Sequence, residues 1–336
     1  MRNQILALGE VMMRLEVPHF QKLKQSRTLA YSFSGTGVNV LSGLSHLGHE
    51  VALVSSLPNN PLGDAAISYI QSLGISTSYV IQQGNYIGMY FLEKGYGLRP
   101  STVTYTNRLE SSFCQSVITD YDLDDIFTHA KAIHICGISL AISSSVRNLV
   151  FSFAEEAKRR GVQIVFDCNY RPKLWKNGEL AKPWYERMLS LADICFMTEK
   201  DAIGILEMQT TGTTRQEQIE DLIPRVIQQY QIQTIAGTIR TVMSIEEHQL
   251  QGFLWQNNSI TYSKPYYFKV LERIGGGDGF ASGLLHGILS QYPPHKMIEF
   301  ATAAGVYAHT TCGDSPIATI DDIYMLMNNE SVELDR

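Results

Sequence analysis

Cysteine is scarce in this 336-residue sequence, and its five residues are scattered. No C-x-x-C pair or His/Cys cluster is present, so the sequence predicts neither a zinc site nor a disulfide framework. The odd number of cysteines favours free thiols in a reducing compartment. No apolar run is long enough to cross a bilayer, and the N-terminus lacks the pattern of a signal peptide. We therefore expect a cytoplasmic protein without a membrane partner.

An excess of basic residues is also missing. The sequence holds 27 Lys and Arg against 33 Asp and Glu, which gives a formal net charge of −6. Such a charge disfavours binding to nucleic acids, but it leaves open a small anionic ligand held in a local pocket. With 44% hydrophobic and 18% charged residues, the composition is that of a globular protein.

Short apolar runs alternate with amphipathic stretches along the chain. Strands are predicted at 5–8, 51–55, 132–136, 162–166, 194–196 and 233–236. Helices are predicted at 38–47, 65–73, from Ser145 to Gly161, and at 200–206, 216–230 and 297–309. This alternation predicts an α/β fold with a parallel central sheet and helices on both of its faces. No linker interrupts the pattern, so residues 1–336 are expected to form a single domain.

Two segments, about 12–34 and 86–108, look strand-like without intervening helices. The runs 89–92 and 103–105 favour antiparallel strands around a polar turn. We expect the two segments to form a small β-sheet lid over an active site, because lids exclude water. A pair of long surface hairpins is the alternative.

A glycine-rich turn ending in an aspartate is the strongest local signal. Gly275, Gly276 and Gly277 precede Asp278 and a helix of small residues. Consecutive glycines at a helix N-terminus can present several N–H groups to an anion, such as a phosphoryl group in transfer. Asp278 would then be placed to accept a proton from an attacking hydroxyl. The alternative is a plain turn with Asp278 as a helix cap. No Gly-Lys-Ser/Thr follows, so this is not a Walker motif.

These residues resemble the ribokinase-like (PfkB-type) carbohydrate kinases. The late family signature Asp-Thr-x-Gly-Ala-Gly-Asp-x-Phe is matched by residues 272–280, and the early signature Gly-Gly-x-x-x-Asn by residues 34–39. Both occur in the family's order, so the resemblance covers nearly the whole chain. It implies a three-layer α/β/α fold with a mostly parallel sheet and a small β lid, and an ATP-dependent kinase assisted by Mg²⁺.

Within that family the sequence is similar to the 2-keto-3-deoxygluconate kinases. That group's motifs Gly-Glu-x-x-x-Arg-Leu, Tyr-Phe-Leu-Glu-x-Gly and Asp-x-Asn-Tyr-Arg-Pro-x-Leu-Trp are matched at 9–15, 90–95 and 167–175. An arginine in the last block suits the carboxylate of a sugar acid. A kinase of a neutral sugar such as fructose or ribose is the alternative enzyme, and a non-catalytic sugar-acid sensor is the alternative from another class.

The resemblance implies a role for each matching residue. Asp278 would be the general base for the C6 hydroxyl, and Gly275, Gly276 and Gly277 would form the anion hole. Substrate contacts would come from Gly35, Gly37, Asn39, Tyr90, Tyr105, Arg108, Arg171 and Asp314. ATP would be bound by Asn169, Arg171, Gly237, Thr238, Gly275 and Gly277, with small residues of helix 297–309 either against the adenine or simply packed.

Several positions depart from the family pattern. Ser34 replaces the first glycine of the early motif, and Glu272 replaces the aspartate of the late one. The Asn-x-x-Glu motif, which the family links to magnesium and phosphate, corresponds to residues 198–201 and is altered at both ends. No metal-ligating residue is therefore assigned from the sequence. The family also implies a homo-oligomer, whereas the gluconate or galactonate epimer is left open.

Overall fold

The computed structural model describes residues 2–175, 180–244 and 246–328. Its strands are β1 (Gln4–Leu8), β2 (Met12–Val17), β3 (Ala30–Ser34), β4 (Val51–Leu57), β5 (Ser76–Gln82), β6 (Gly88–Glu93), β7 (Thr102–Thr106), β8 (Ala130–Cys136), β9 (Gln163–Asp167), β10 (Ile194–Phe196), β11 (Thr234–Val242), β12 (Glu247–Gln256), β13 (Ser259–Tyr262) and β14 (Tyr266–Lys269). Its α-helices are α1 (Thr36–His46), α2 (Pro61–Ser72), α3 (Ser112–Gln115), α4 (Leu123–Thr128), α5 (Ser144–Arg159), α6 (Lys182–Leu189), α7 (Glu199–Gly204), α8 (Arg215–Tyr230), α9 (Gly276–Leu289), α10 (Pro294–His309) and α11 (Ile320–Asn328).

The main sheet confirms the predicted mixed, mostly parallel architecture. Its strand order is β13-β12-β11-β10-β9-β8-β1-β4-β5, and β14 also pairs with β12. All neighbours from β11 to β5 run parallel, whereas β12 pairs antiparallel with β11, β13 and β14. Strands such as β4 are buried along their whole length, because helices cover both faces of the sheet. Within the described residues, no helix is both long and apolar enough to cross a membrane.

A second sheet of four strands has the order β3-β2-β6-β7. We call it the lid sheet. The pairs β2–β3 and β6–β7 are antiparallel, and a parallel pairing of β2 with β6 joins them. The two strand-like segments therefore form one sheet, as expected, and not two independent hairpins.

Small residues bring α9 and α10 close together. A Cβ on Gly279 would lie 2.8 Å from the Cβ of Ala308, and one on Gly283 would lie 2.8 Å from the Cβ of Ala304. The alanines and the glycine of α10 are buried, and only His309 of that helix lines the cavity described below. Close helix packing therefore accounts for these small residues.

Replacing Gly283 with alanine should destabilise the fold by about 1–3 kcal/mol, because the new methyl group would also lie 2.9 Å from the Cα of Ala301. Gly204, at the end of α7, is a matched control, since a Cβ there meets nothing within 4 Å. Urea denaturation of both variants measures the difference. Equal stability of the two variants would contradict close packing of α9 on α10.

Candidate active site

Two cavities meet at the start of α9. The lid cavity, of about 450 Å³, extends under the lid sheet, and the strand-end cavity, of about 530 Å³, lies beside the carboxyl ends of β9, β10 and the first half of β11. Both cavities are lined by Asn169, Arg171, Arg273, Gly277 and Asp278. Parallel α/β sheets commonly bind ligands at this edge. Two ligands could therefore meet at Asp278.

Asp278 lies in the first turn of α9 and is buried. Its carboxylate caps no backbone N–H in the described residues, and it accepts a hydrogen bond of 2.7 Å from the side-chain amide of Asn39 on α1. Burial raises the pKa of Asp278 to about 7, against the lowering effects of Asn39 and Arg171. A carboxylate with a pKa near neutrality is suited to accept a proton.

The three glycines differ in their surroundings. Gly275 caps α9 with a φ of +87°, and a Cβ there would lie 2.1 Å from the carbonyl oxygen of Asp314. A Cβ on Gly276 would overlap the ring of His309, whereas Gly277 is exposed and faces open space. The turn thus needs glycine for its backbone, and it leaves the first N–H groups of α9 beside both cavities.

A buried hydrogen-bond chain crosses the lid cavity. Tyr90 of β6 donates its hydroxyl hydrogen to Asp314 at 2.5 Å and lies 2.9 Å from the Ser34 hydroxyl of β3. Burial raises the pKa of Tyr90 to about 12, so this side chain is a neutral donor. Tyr105 of β7 pairs with Tyr90 across the sheet, with ring centroids 6.1 Å apart, but is itself exposed.

A network of charged side chains joins the lid sheet to the rest of the fold. Arg14 of β2 is buried and forms ion pairs with Glu16, Glu272 and Asp314. Lys94, just after β6, pairs with Glu16 at 2.8 Å and with Glu272 at 3.0 Å. Glu272, the residue that departs from the family aspartate, thereby fixes the chain three residues before Gly275, where the glycine turn begins.

Arg108 is held against Glu10 at the far wall of the lid cavity. Its Nε donates to Glu10 at 2.7 Å, and its guanidinium lies 5.3 Å from the Tyr105 ring centroid. Ser111 donates a second hydrogen bond to Glu10 at 3.0 Å. Burial nevertheless raises the pKa of Glu10 above its ordinary value. The Arg108 terminal nitrogens make no hydrogen bond with the described residues, so they are available to a ligand.

Asp167 and Asn169, at the end of β9, line the strand-end cavity together with Gly237 and Thr238 of β11. Burial raises the pKa of Asp167 to about 6, and the charge of Asp201 contributes. Asn169 has a φ of +35°, and its Oδ1 is buried without a hydrogen-bond partner among the described residues. These acceptor oxygens lie beside the positions assigned to the nucleotide.

Almost all the residues assigned from the sequence line one or both cavities, and Gly37 is the exception. It lies inside α1, where a Cβ would be 3.1 Å from the Cβ of Ala7 on β1. Gly37 therefore permits close packing of α1 on the sheet and does not reach the cavities. Asn39, expected to contact sugar hydroxyls, lines the lid cavity. Its amide also donates a hydrogen bond to Asp278, and its Oδ1 accepts one from Ser315 at 3.3 Å.

Sequence reasoning assigned no role to several residues of the site. These are Glu10, Arg14, Asp167, Arg240 and Arg273. Glu10, Arg14 and Asp167 stood within matched motifs, so the motifs themselves were a usable signal. Arg273 lies two positions before Gly275 and is a cation where the family signature has threonine. Of these five residues, only Arg240 lies outside every matched motif.

A buried carboxylate and a glycine turn at a helix N-terminus lie between two cavities of an α/β fold, an arrangement suited to the transfer of a phosphoryl group between two ligands. The sequence model of the pfkB family carbohydrate kinases matches residues 2–319. The chain belongs to this family, and it is a carbohydrate kinase.

Relatives and solved structures agree with this family. A 2-dehydro-3-deoxygalactonokinase of Haloferax volcanii is 24% identical over the full length of both chains. The structure of a 2-dehydro-3-deoxygluconokinase from Thermotoga maritima is 30% identical with a TM-score of 0.92, covering 98% of this chain and 99% of that one. A structure from Enterococcus faecalis, provisionally described as a 2-keto-3-deoxygluconate kinase, is 37% identical with a TM-score of 0.94, covering 99% of each chain.

Proposed function

We propose that this kinase transfers the terminal phosphoryl group of ATP to the C6 hydroxyl of 2-keto-3-deoxygluconate. The observation that carries the proposal is the junction of the two cavities at Asp278, with arginines in both walls. The sugar acid would fill the lid cavity, with its carboxylate near Arg108 or Arg171. The nucleotide would fill the strand-end cavity, with its terminal phosphate toward Gly277.

In the reaction, Asp278 accepts the proton of the C6 hydroxyl as that oxygen forms its bond to the γ-phosphorus. The bond from this phosphorus to the β–γ bridging oxygen breaks, and ADP leaves. The N–H groups of the glycine turn stabilise, by hydrogen bonding, the negative charge on the phosphoryl group in transfer. Asn39 orients the Asp278 carboxylate through its amide. Closure of the lid sheet would exclude water from the junction.

Magnesium fits the strand-end cavity. The described residues contain no cluster of three or more metal-binding side chains. Mg²⁺ is usually held by one or two carboxylates together with substrate phosphates. Asp167 supplies a carboxylate, and the unpartnered Oδ1 of Asn169 supplies an amide oxygen beside it. The ion would neutralise charge on the phosphates, and it would relieve the mutual repulsion of Asp167 and Asp201.

A substrate panel tests the proposal. The purified protein would be given ATP, Mg²⁺ and each of 2-keto-3-deoxygluconate, 2-keto-3-deoxygalactonate, fructose and ribose, with ADP release as the readout. We expect turnover with the keto-deoxy acids and a far lower kcat/KM with the neutral sugars. Preference for a neutral sugar would support the alternative kinase. Sugar-acid binding without ADP release would support a sensor.

The acid limb of the pH profile should report the pKa of Asp278. Its carboxyl is protonated below about pH 7, and a protonated carboxyl cannot accept the hydroxyl proton. We expect kcat/KM to be level above about pH 7.5 and to fall roughly tenfold per pH unit below about pH 6.5. Initial rates between pH 5.5 and 8.5 at saturating ATP test this. A level profile down to pH 5.5 would contradict the assignment.

A further inference from the structure

Arg273 stands at the boundary of the two cavities without an ionic partner. It follows Glu272, whose side chain is fixed by Arg14 and Lys94. The Arg273 side chain is exposed and lines both the lid cavity and the strand-end cavity. Across residues 2–175, 180–244 and 246–328, its guanidinium makes no hydrogen bond or ion pair.

Arg240, on β11, lies near Arg273 and is also unpaired among the described residues. Arg240 lines the strand-end cavity but not the lid cavity. Burial and the charges of Arg273 and Arg215 lower the pKa of the Arg240 guanidinium. Arg215 is already paired with Glu199. Two neighbouring arginines without a carboxylate partner repel each other, and a polyanion between them would remove that repulsion.

Phosphate oxygens match this arrangement. A guanidinium presents N–H groups in a planar fork that binds two phosphate oxygens at once. Arg240 and Arg273 share the strand-end cavity with Gly276 and Gly277, where the first N–H groups of α9 also favour an anion. The shared chemistry of these groups is recognition of a polyphosphate chain.

We propose that Arg273 is a catalytic residue that holds the phosphoryl group during its transfer, and that Arg240 binds only the nucleotide phosphates. The inference rests on the kinase function proposed above. Arg273 lines both cavities, so it can contact the phosphoryl group as that group passes from one ligand to the other. Arg240 is confined to the nucleotide side, so its contact is the same before and during transfer.

This difference predicts separate kinetic effects. Removing a contact made more strongly in the transition state lowers kcat, whereas removing one of constant strength raises KM. We expect Arg273→Ala to lower kcat by about 10²-fold with each KM changed less than about threefold. We expect Arg240→Ala to raise the KM for ATP about tenfold with kcat within about threefold of wild type.

Lys269→Ala is the control for loss of one positive charge nearby. Lys269 ends β14 and lines neither cavity, so its removal should change both parameters less than about twofold. Guanidinium chloride in the millimolar range should restore part of the kcat of Arg273→Ala and none of the ATP affinity of Arg240→Ala. An unchanged kcat in Arg273→Ala, or a larger effect on the KM for the sugar acid, would overturn the proposal.

A binding measurement separates this inference from the proposed function. Calorimetry would compare ADP with ADP plus aluminium fluoride, each with Mg²⁺, because the fluoride complex imitates the planar phosphoryl group. Wild type should bind the complex more tightly than ADP, and Arg273→Ala should lose most of that gain while binding ADP normally. An equal gain in both proteins would overturn the role of Arg273. Failure of the substrate panel with normal calorimetry would overturn only the proposed acceptor.

Discussion

Asp278→Asn should lower kcat by about 10³-fold, because an amide cannot accept the proton that the C6 hydroxyl releases. The change is nearly isosteric, and the Asn39 amide still has an oxygen to which it can donate. The KM for each substrate should change little. A coupled assay of ADP release measures the loss. Asp125→Asn on α4, an exposed position away from both cavities, is the matched control and should keep wild-type turnover.

The thermal stability of Asp278→Asn shows whether its low activity comes from the lost proton acceptor or from a damaged fold. The pKa of Asp278 in the folded protein, about 7, lies above the ordinary value of 3.8, so the folded state binds the proton more tightly than the unfolded state. Its contribution to stability is present below about pH 4 and is lost as the pH rises to about 7. The neutral amide of Asp278→Asn does not lose stability as the pH rises, because it has no charge to bury. The Tm of this variant relative to wild type should therefore be higher at pH 8 than at pH 5. A kcat within tenfold of wild type would remove Asp278 from the mechanism.

Arg14→Met should destabilise the protein by about 3–5 kcal/mol, because it leaves the buried carboxylates of Glu272 and Asp314 without their common cation. Methionine keeps most of the side-chain volume, so the loss of charge is the main change. Arg187→Met removes an arginine whose partner, Glu155, is half exposed, and it should cost less than about 1 kcal/mol. Urea denaturation at pH 7.5 measures both variants.

A double-mutant cycle tests whether the stability lost in Arg14→Met comes from its ion pair with Asp314. Asp314→Asn removes one of the carboxylates that Arg14 pairs with. If their contact carries the stability, the double variant should be more stable than the sum of the single losses predicts, by at least about 1 kcal/mol. Strict additivity, or a loss below 1 kcal/mol in Arg14→Met, would show that the buried ion pairs do not fasten the lid sheet to the loop that holds Asp314.

The sequence predicted the main sheet well because its signal is local. A fully buried parallel strand such as Val51–Leu57 is marked by a continuous apolar run. The helices between strands are marked instead by apolar residues that recur every three to four positions. The glycine turn before Asp278 was equally visible, since it depends on neighbouring residues. The lid sheet was predicted as a unit, but the parallel pairing of β2 with β6 was not, because it joins segments far apart in the chain.

The charged contacts could not be predicted for the same reason. Arg108 and Glu10 are 98 positions apart, and no local pattern pairs them. Glycine is ambiguous in another way, since the same residue can admit a ligand or a neighbouring strand. Gly35 lines the lid cavity, whereas Gly37, two residues later, only permits α1 to approach β1. The early motif includes both glycines, and its spacing does not show which one faces a ligand and which one only allows close packing.

The lid sheet is assembled from two separate excursions of the chain. β2 and β3 lie between β1 and α1, whereas β6 and β7 lie between β5 and α3, and the ladder of β2 with β6 joins the pairs. The sheet cannot be exchanged for that of a relative as one short continuous segment, because α1, β4, α2 and β5 lie between its two strand pairs. A chimaera that exchanged a single segment would oppose a foreign β2 to a resident β6, and the contacts of Arg14 with residues outside the sheet would be mismatched as well. A crossover between β3 and β6 would therefore pair strands from two parents, whereas a crossover after β7 would keep both segments of the sheet from one parent.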